Sequence, residues 1–169
     1  MAMATALMGA TPTTVRAQDG APLERMATAT IYRSLTAVEV KEVLSRQGYK
    51  SVAKENETDF VITTTSGFRF RALLMACDIE GHPPGCLGLM LRAAWSMEDS
   101  DEPKIRPVVQ DFNNRFRIGK ALIEEDSVYL ERYAITDGGV TLDHIGEELD
   151  EFLGSADALQ SNMFEALEE

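Results

Sequence analysis

The chain has few basic residues for its length. Sixteen Lys and Arg stand against 28 Asp and Glu among 169 residues, which gives a formal net charge of −12. Because binding to a phosphate backbone requires clustered Lys and Arg, this deficit argues against nucleic acid as a partner. The sequence also has no apolar run of the roughly 20 residues that a membrane-spanning helix needs, so no membrane span is predicted. Its length suits one domain with a tail.

Sequence signatures of catalysis are missing as well. There is no G-x-S-x-G elbow, catalytic cysteine signature or G-x-x-x-x-G-K-[ST] phosphate loop, and Gly138-Gly139 is better explained as a strand-to-helix turn. Cys77, Asp78, His82 and Cys86 lie close enough in sequence to suggest metal ligands. However, zinc knuckles place their cysteines much closer together than these two. We therefore predict no enzyme activity, no cofactor and no metal.

Hydrophobic periodicity begins at Thr36 and predicts an α+β domain over residues 35–153. Helices are predicted over 36–47, over 103–116 with the regular part starting near Pro107, and from Thr141 to about 153. Strand patterns at 51–54, 59–64, 68–77, 86–95, 120–123 and 128–133 complete the order α-β-β-β-β-α-β-β-α. The prediction is an antiparallel sheet with helices packed on it. Residues 1–34 are predicted to be a flexible N-terminal segment, and residues 154–169 a fraying acidic tail.

The hairpins formed by strands two to four allow a prediction of register. A three-residue turn, Thr65-Ser66-Gly67, with glycine in the left-handed position, keeps one buried face continuous across strands two and three. Setting Cys77 opposite Cys86 extends that face to strand four. The predicted pairs are Phe60–Ala72, Ile62–Phe70, Ala72–Leu91, Leu74–Leu89 and Phe68–Trp95. In an oxidising compartment Cys77 and Cys86 would form a disulfide, and in a reducing cytosol they would be two buried thiols.

The same register gathers apolar and basic side chains on the opposite face of strands three and four. They are Arg69, Arg71, Leu73, Met75, Met90 and Arg92. Arg71 lies opposite Arg92, and such a like-charge pair destabilises an antiparallel sheet unless an acidic group meets it. One interpretation is a contact surface whose arginines pair with carboxylates of a partner or a second subunit. The other is that residues 18–34 or a helix of the same chain cover this face.

Residues 111–121 carry an amphipathic helix straight into a strand and read Asp-Phe-Asn-Asn-Arg-Phe-Arg-Ile-Gly-Lys-Ala. This junction resembles the signature of the YbjN-like family of bacterial sensory transduction regulators, as do Gly139-Val140-Thr141 and the strand end at Trp95. Members of that family look like the small α+β chaperones of type III secretion. The resemblance implies a regulatory or interaction module that binds a protein or peptide and forms a homodimer. The alternative that it implies is a secretion-type chaperone for a disordered client protein.

The helix end within that junction contains Asn113, Asn114, Arg115 and Arg117, which have two interpretations. One is a polar recognition patch. The other is an ordinary helix C-terminus, where Asn accepts a left-handed turn and Arg offsets the helix dipole. The second is favoured, so Asn113 and Arg115 are predicted to be structural.

The N-terminal residues resemble part of an export signal. Val15-Arg16-Ala17 places small residues at the −3 and −1 positions before Gln18, although no Lys or Arg precedes the apolar stretch. Residues 1–17 are therefore interpreted as a truncated signal peptide, which predicts a periplasmic or secreted protein. The alternative is a flexible tail on a cytoplasmic protein.

Overall fold

The computed structural model describes residues 29–49 and 51–168, apart from the side chains of residues 51–55. Its elements follow the predicted order α-β-β-β-β-α-β-β-α, which confirms the α+β fold class. They are α1 (Ala37–Arg46), β1 (Ser51–Asn56), β2 (Asp59–Thr63), β3 (Arg69–Cys77), β4 (Cys86–Ser96), α2 (Glu102–Arg115), β5 (Lys120–Glu124), β6 (Ser127–Ile135) and α3 (Leu142–Glu168).

The strands form one antiparallel sheet in the order β1-β2-β3-β4-β6-β5. The first four strands are the predicted meander, and both predicted registers are confirmed: Ile62 pairs with Phe70, and Cys77 with Cys86. Gly67 has a φ of 91°, so the turn after β2 uses glycine in the left-handed region, as predicted. The buried face therefore runs continuously from β2 to β4.

All three helices lie on one face of this sheet. α3 packs on β4 and β6, while α1 and α2 pack beside α3. The Phe70 ring in β3 and the Phe152 ring in α3 are 5.4 Å apart, centroid to centroid. The largest fully buried side chains include Phe60, Phe112, Phe152, Leu44, Leu91, Leu130 and Ile145. The core thus occupies one side of the sheet, and no helix of the described chain lies on the other side.

α3 corrects the prediction of a fraying tail over residues 154–169. The helix continues to Glu168 and buries Ser155, Ala156, Leu159 and Met163 in its second half. These residues extend the same apolar stripe at helical spacing, while the acidic residues lie mostly on the solvent side. The tail prediction is therefore wrong up to residue 168, because burial of this stripe holds the helix together.

The segment before α1 belongs to the domain from at least Tyr32. Tyr32 forms a two-way backbone bridge with Val140, with N–H···O distances of 2.7 and 2.8 Å. Leu35 forms a similar bridge with Cys86, and its side chain is fully buried. The predicted flexible segment 1–34 therefore ends too late. Its first 28 residues, including the predicted signal peptide, lie outside the described residues.

The first turn of α1 contains the predicted capping box. The Thr36 hydroxyl accepts the Val38 N–H, and the Glu39 carboxylate accepts hydrogen bonds from the backbone N–H and the hydroxyl of Thr36. Burial acts to raise the pKa of Glu39, but these hydrogen bonds outweigh it and lower the pKa below its usual value of 4.5. The carboxylate of Glu39 thus stabilises the helix start in its charged form.

α2 begins earlier than predicted. It starts at Glu102, whereas the sequence indicates a regular helix only from about Pro107. Pro103 stands in the first turn, where its missing N–H leaves no helical hydrogen bond unmade. Pro107 lies inside the helix and removes one such bond. Ile105 and Val109 are buried on either side of it, so packing against the core compensates for that loss.

A buried ion pair ties α3 to the sheet. The Arg132 Nε of β6 donates to Glu148 of α3 at 2.6 Å, and Arg132 is only 8% exposed. An acidic run on a helix, such as Glu147-Glu148 and Asp150-Glu151, is normally solvated, whereas the Glu148 side chain is only 16% exposed. The core-facing side of β6 requires a partner for Arg132, and Glu148 is the carboxylate that reaches it.

Candidate functional site

The sheet face that points away from the helices is called the outer face here. It carries the odd-numbered residues of β2, of β3 up to Met75 and of β6, and the even-numbered residues of β5 and of β4 from Gly88 onwards. All six predicted contact residues, Arg69, Arg71, Leu73, Met75, Met90 and Arg92, lie on this face. No described helix covers the outer face, so the structure does not support the alternative of a covering helix. The other cover proposed from the sequence was residues 18–34, and residues 18–28 of that segment lie outside the described residues.

An apolar strip crosses the centre of the outer face. Leu73, Met90 and Tyr133 lie side by side in register on β3, β4 and β6. Met75 and Ile135 form a second row on either side of Gly88. Tyr133 is 47% exposed and Ile135 is 66% exposed, while Leu73, Met75 and Met90 are partly buried. We call these five side chains the apolar strip.

The Tyr133 side chain reaches over β4 because Gly88 has no side chain. A Cβ atom at position 88 would overlap the phenol group of Tyr133. The ring thus covers the glycine backbone and extends from β6 towards β3. The apolar strip is therefore continuous across β4 and has no gap at Gly88.

The predicted opposition of Arg71 and Arg92 is confirmed, and the chain itself supplies the counter-charges. Arg71 makes a bidentate ion pair with Asp59, a residue that is only 6% exposed; its Nε lies 3.1 Å from Asp59 Oδ1. The like charges across β3 and β4 are therefore neutralised on one side by β2.

Arg92 is held by three groups. Its Nη2 is 3.0 Å from Glu124 Oε2, and its Nε is 3.2 Å from Glu131 Oε1. Its guanidinium carbon lies 3.9 Å from the centre of the Tyr129 ring, a cation–π arrangement. Unlike these two arginines, Arg69 is exposed and has no ion-pair partner within the described residues.

The three acidic partners are absent from the sequence prediction. Glu131 lies directly opposite Arg92 because β6 pairs with β4. That neighbour relation joins strands separated in sequence by α2 and β5, so hairpin reasoning does not reach it. The alternation of Tyr129, Glu131, Tyr133 and Ile135 along β6 is the signal that places Glu131 on the outer face.

A groove of about 860 Å³ lies at the end of the sheet, beside the turn between β2 and β3. Tyr49, Phe68 and Trp95 contribute aromatic side chains to its lining, and the ring centroids of Phe68 and Trp95 are 6.0 Å apart. Arg69 of the outer face also lines it, as does Asp157 of α3. We call this cavity the aromatic groove. Sequence reasoning misses it because its walls come from distant segments.

Tyr49 keeps its proton well beyond neutral pH. Burial raises the pKa of the Tyr49 phenol above its usual value of 10.0, and the negative charge of Asp150 adds to this effect. The phenol is therefore a hydrogen-bond donor in the wall of the aromatic groove.

Cys77 and Cys86 are joined by a disulfide at the tip of the β3–β4 hairpin, with their Cα atoms 3.8 Å apart. Ala76 and Asp78, on either side of Cys77, have φ values of 53° and 54°, a region that residues other than glycine disfavour. With both sulfurs bonded to each other, neither is available to a metal. The described residues contain no group of three or more His, Cys, Asp or Glu side chains placed to hold one.

Asn113 is structural, but for a different reason from the predicted one. α2 ends at Arg115, and Phe116 has an extended conformation, so no Asn occupies a left-handed cap. Instead the Asn113 amide faces β5: its Nδ2 donates to the Ala121 carbonyl and its Oδ1 accepts the Ala121 N–H, both at 2.8 Å. Asn113 thereby occupies the outward backbone groups of an edge strand.

These features define an α+β protein with one helix-covered sheet face, one face bearing an apolar strip, and a groove between them. Residues 36–165 match the YbjN family, which is described as "Putative bacterial sensory transduction regulator". Because this match covers well over half of the chain, the protein belongs to the YbjN family. No helix in the described part is both long and apolar enough to cross a membrane.

Two solved structures share the fold. YbjN from E. coli, described as "a putative transcription regulator", matches with a TM-score of 0.56 and 14% identity over 75% of this chain and 90% of that one. An uncharacterized protein from Methanothermobacter thermautotrophicus matches with a TM-score of 0.53 and 12% identity over 75% of this chain and 94% of that one. At such identities the likeness concerns the fold alone. No curated protein matches the sequence.

Proposed function

We propose that this YbjN-family protein is a non-enzymatic regulatory module that binds a protein or peptide partner through its outer face. The observation that carries the proposal is the apolar strip on a face that no described helix covers. Antiparallel sheets with one solvated face normally carry polar residues there. A contiguous exposed apolar patch is instead typical of an interaction surface.

The ion pairs on the outer face narrow the chemistry of the partner. Arg71 and Arg92 have carboxylate partners in this chain, so a partner does not have to supply carboxylates at the centre of the face. We therefore propose an apolar contact over the strip, with charged contacts at its edge, near Arg69. The net charge of −12 favours a protein over a nucleic acid in this role.

Leu73→Asp and Met90→Asp test the proposal. The partner is first captured from the native host with the wild-type protein, identified, and then purified. Its affinity for each variant is measured by calorimetry. Because each change places a carboxylate in an apolar contact, we expect binding to weaken at least about tenfold, which corresponds to ~1.4 kcal/mol. Light scattering on the same samples measures the molar mass of the complex. This mass shows whether the bound partner is a second copy of this chain, as expected for a homodimer.

Val38→Asp is the matched control, because Val38 is an apolar residue that is 68% exposed on α1, away from the outer face. It should bind the partner like the wild-type protein. Thermal unfolding must remain cooperative in all variants, and Leu73→Gln provides a milder change on the strip. Wild-type affinity in both Asp variants would refute the proposal. Loss of cooperative unfolding in all three strip variants would show that the face is internal.

A secretion-type chaperone for a disordered client is the alternative function. Met75 and Met90 favour it, because flexible methionine side chains adapt to partners of irregular shape. Circular dichroism of the purified partner separates the two functions. A partner that is unfolded when alone supports the chaperone, whereas a folded partner supports the regulatory module.

We also propose that the protein works in an oxidising compartment, periplasmic or extracellular. The Cys77–Cys86 disulfide supports this location, since disulfides persist mainly in such compartments. N-terminal sequencing of the protein from its native host should find chains that begin near Gln18. Recovery of chains that begin only at Met1 or Ala2 would contradict export.

A further inference from the structure

We propose that the aromatic groove binds a large apolar side chain of an extended peptide that carries a carboxylate beside it. This inference rests on the proposed function and names the chemistry of the partner. It is carried by the coincidence of aromatic lining, an arginine that has no ion-pair partner among the described residues, and polar groups suited to a peptide backbone.

The floor of the groove is preformed and apolar. Phe68 and Trp95 are only partly buried although they pack against the core, and Phe68 stacks on Phe70 at a centroid distance of 6.3 Å. Leu153 and Ala156 of α3 continue the apolar lining. The volume of about 860 Å³ lies within the range of ligand-binding clefts. A large apolar side chain inserted there would bury aromatic surface that the fold leaves exposed to water.

The groove lining has one basic residue, Arg69, and one acidic residue, Asp157, and the basic one matches an acidic residue of a peptide. Arg69 lacks an ion-pair partner in the described chain, in contrast to Arg71 and Arg92 on the same face, so it is available to a carboxylate. Asp157 and Gln160 line the α3 side of the groove and can accept hydrogen bonds from peptide N–H groups. The Tyr49 phenol can donate to a peptide carbonyl.

The groove also connects with the outer face. Arg69 belongs to both surfaces, and Ala94, an exposed residue on the outer face of β4, lines the groove beside it. A peptide anchored in the groove can therefore continue past Arg69 onto the outer face. This continuity explains how one partner would use both surfaces.

The single tryptophan of the chain provides the test, because Trp95 lines the groove. The probes are acetyl-Phe-Glu-amide and acetyl-Phe-Gln-amide, which contain no tryptophan. Titration of the full chain with the Glu probe should give a saturable change in Trp95 fluorescence. The Gln probe should bind about two- to fivefold more weakly, the effect expected for an ion pair at an exposed rim.

Two variants assign this difference to Arg69. Arg69→Gln should reduce the affinity for the Glu probe to that for the Gln probe and leave the Gln probe unaffected. Arg117→Gln is the matched control, since Arg117 is exposed and unpaired among the described residues but does not line the groove, and it should change neither affinity. No saturable change with either probe, or equal affinities of the wild-type protein for both, would overturn the inference.

A further variant distinguishes failure of this inference from failure of the proposed function. Leu73→Asp lies outside the groove and should leave binding of both probes unchanged. If the probes do not bind while Leu73→Asp still weakens binding of the purified partner, the groove inference fails and the proposed function stands. If the probes bind as expected while Leu73→Asp has no effect on the partner, the assignment of the outer face fails instead.

Discussion

Asn113→Ala tests whether the Asn113 side chain stabilises the edge strand β5. The variant removes two hydrogen bonds of 2.8 Å to the backbone of Ala121. Net of competition with water, each bond contributes about 0.5–1.5 kcal/mol, so their loss costs about 1–3 kcal/mol. Alanine is the better helix former, which returns roughly 0.5 kcal/mol. We therefore expect the free energy of unfolding to fall by about 0.5–2.5 kcal/mol, measured by urea denaturation.

Asn114→Ala is the matched control for this measurement. Asn114 is exposed in the same helical turn, and its side chain makes no hydrogen bond to any described residue. The control should gain roughly 0.5 kcal/mol from helix propensity alone. Hydrogen exchange at the Ala121 amide should accelerate in Asn113→Ala and stay unchanged in Asn114→Ala. Equal unfolding free energies of the two variants, with unchanged exchange at Ala121, would refute the stabilising role of the Asn113 hydrogen bonds.

Three further predictions concern the hairpin, the outer face and the first helix. Gly88→Ala should shift the NMR signals of the Tyr133 ring, because the new methyl group displaces it. In a Tyr133→Ala background, where no ring is displaced, Gly88→Ala should raise the free energy of unfolding by about 0.4–1 kcal/mol. A lower free energy of unfolding in that background would contradict the packing of Tyr133 on Gly88. Glu39→Gln should be less stable than the wild-type protein above pH 4.5. Because the folded-state pKa is lowered, this difference should shrink as the pH falls through it, whereas a constant difference would count against the cap. Replacing Cys77 and Cys86 by Ser should lower the free energy of unfolding by about 2.5–3 kcal/mol. Two freely alkylated thiols in the wild-type protein from periplasmic material would argue against the disulfide.

Local sequence patterns were sufficient for the element order and for the registers of the β2–β3 and β3–β4 hairpins. Gly67 determines the turn after β2, and the alternation of Phe60 and Ile62 then selects the register. These relations involve neighbouring strands, so they need no knowledge of the tertiary fold. For the same reason the opposition of Arg71 and Arg92 could be predicted, although the groups that neutralise it could not.

The remaining features depend on contacts between distant segments. Glu131 meets Arg92 only because β6 lies beside β4, and the Asn113 amide meets Ala121 only because α2 lies along β5. The prediction is wrong for the second half of α3 because Gly154 and many acidic residues interrupt its apolar stripe in the sequence. This segment is helical because its apolar stripe packs on the core, and helix propensity alone does not reveal that packing.

The two edges of the sheet differ, and this difference limits how copies could join through their strands. Along β5, the backbone of Ala121 is occupied by Asn113, whereas β1 has no further strand beside it in the described chain. Two copies that paired β1 with β1 about a two-fold axis would use both unoccupied edges at once. The strand at each outer end would then be β5, where Asn113 already occupies the outward backbone groups of Ala121 and so hinders the addition of a further strand.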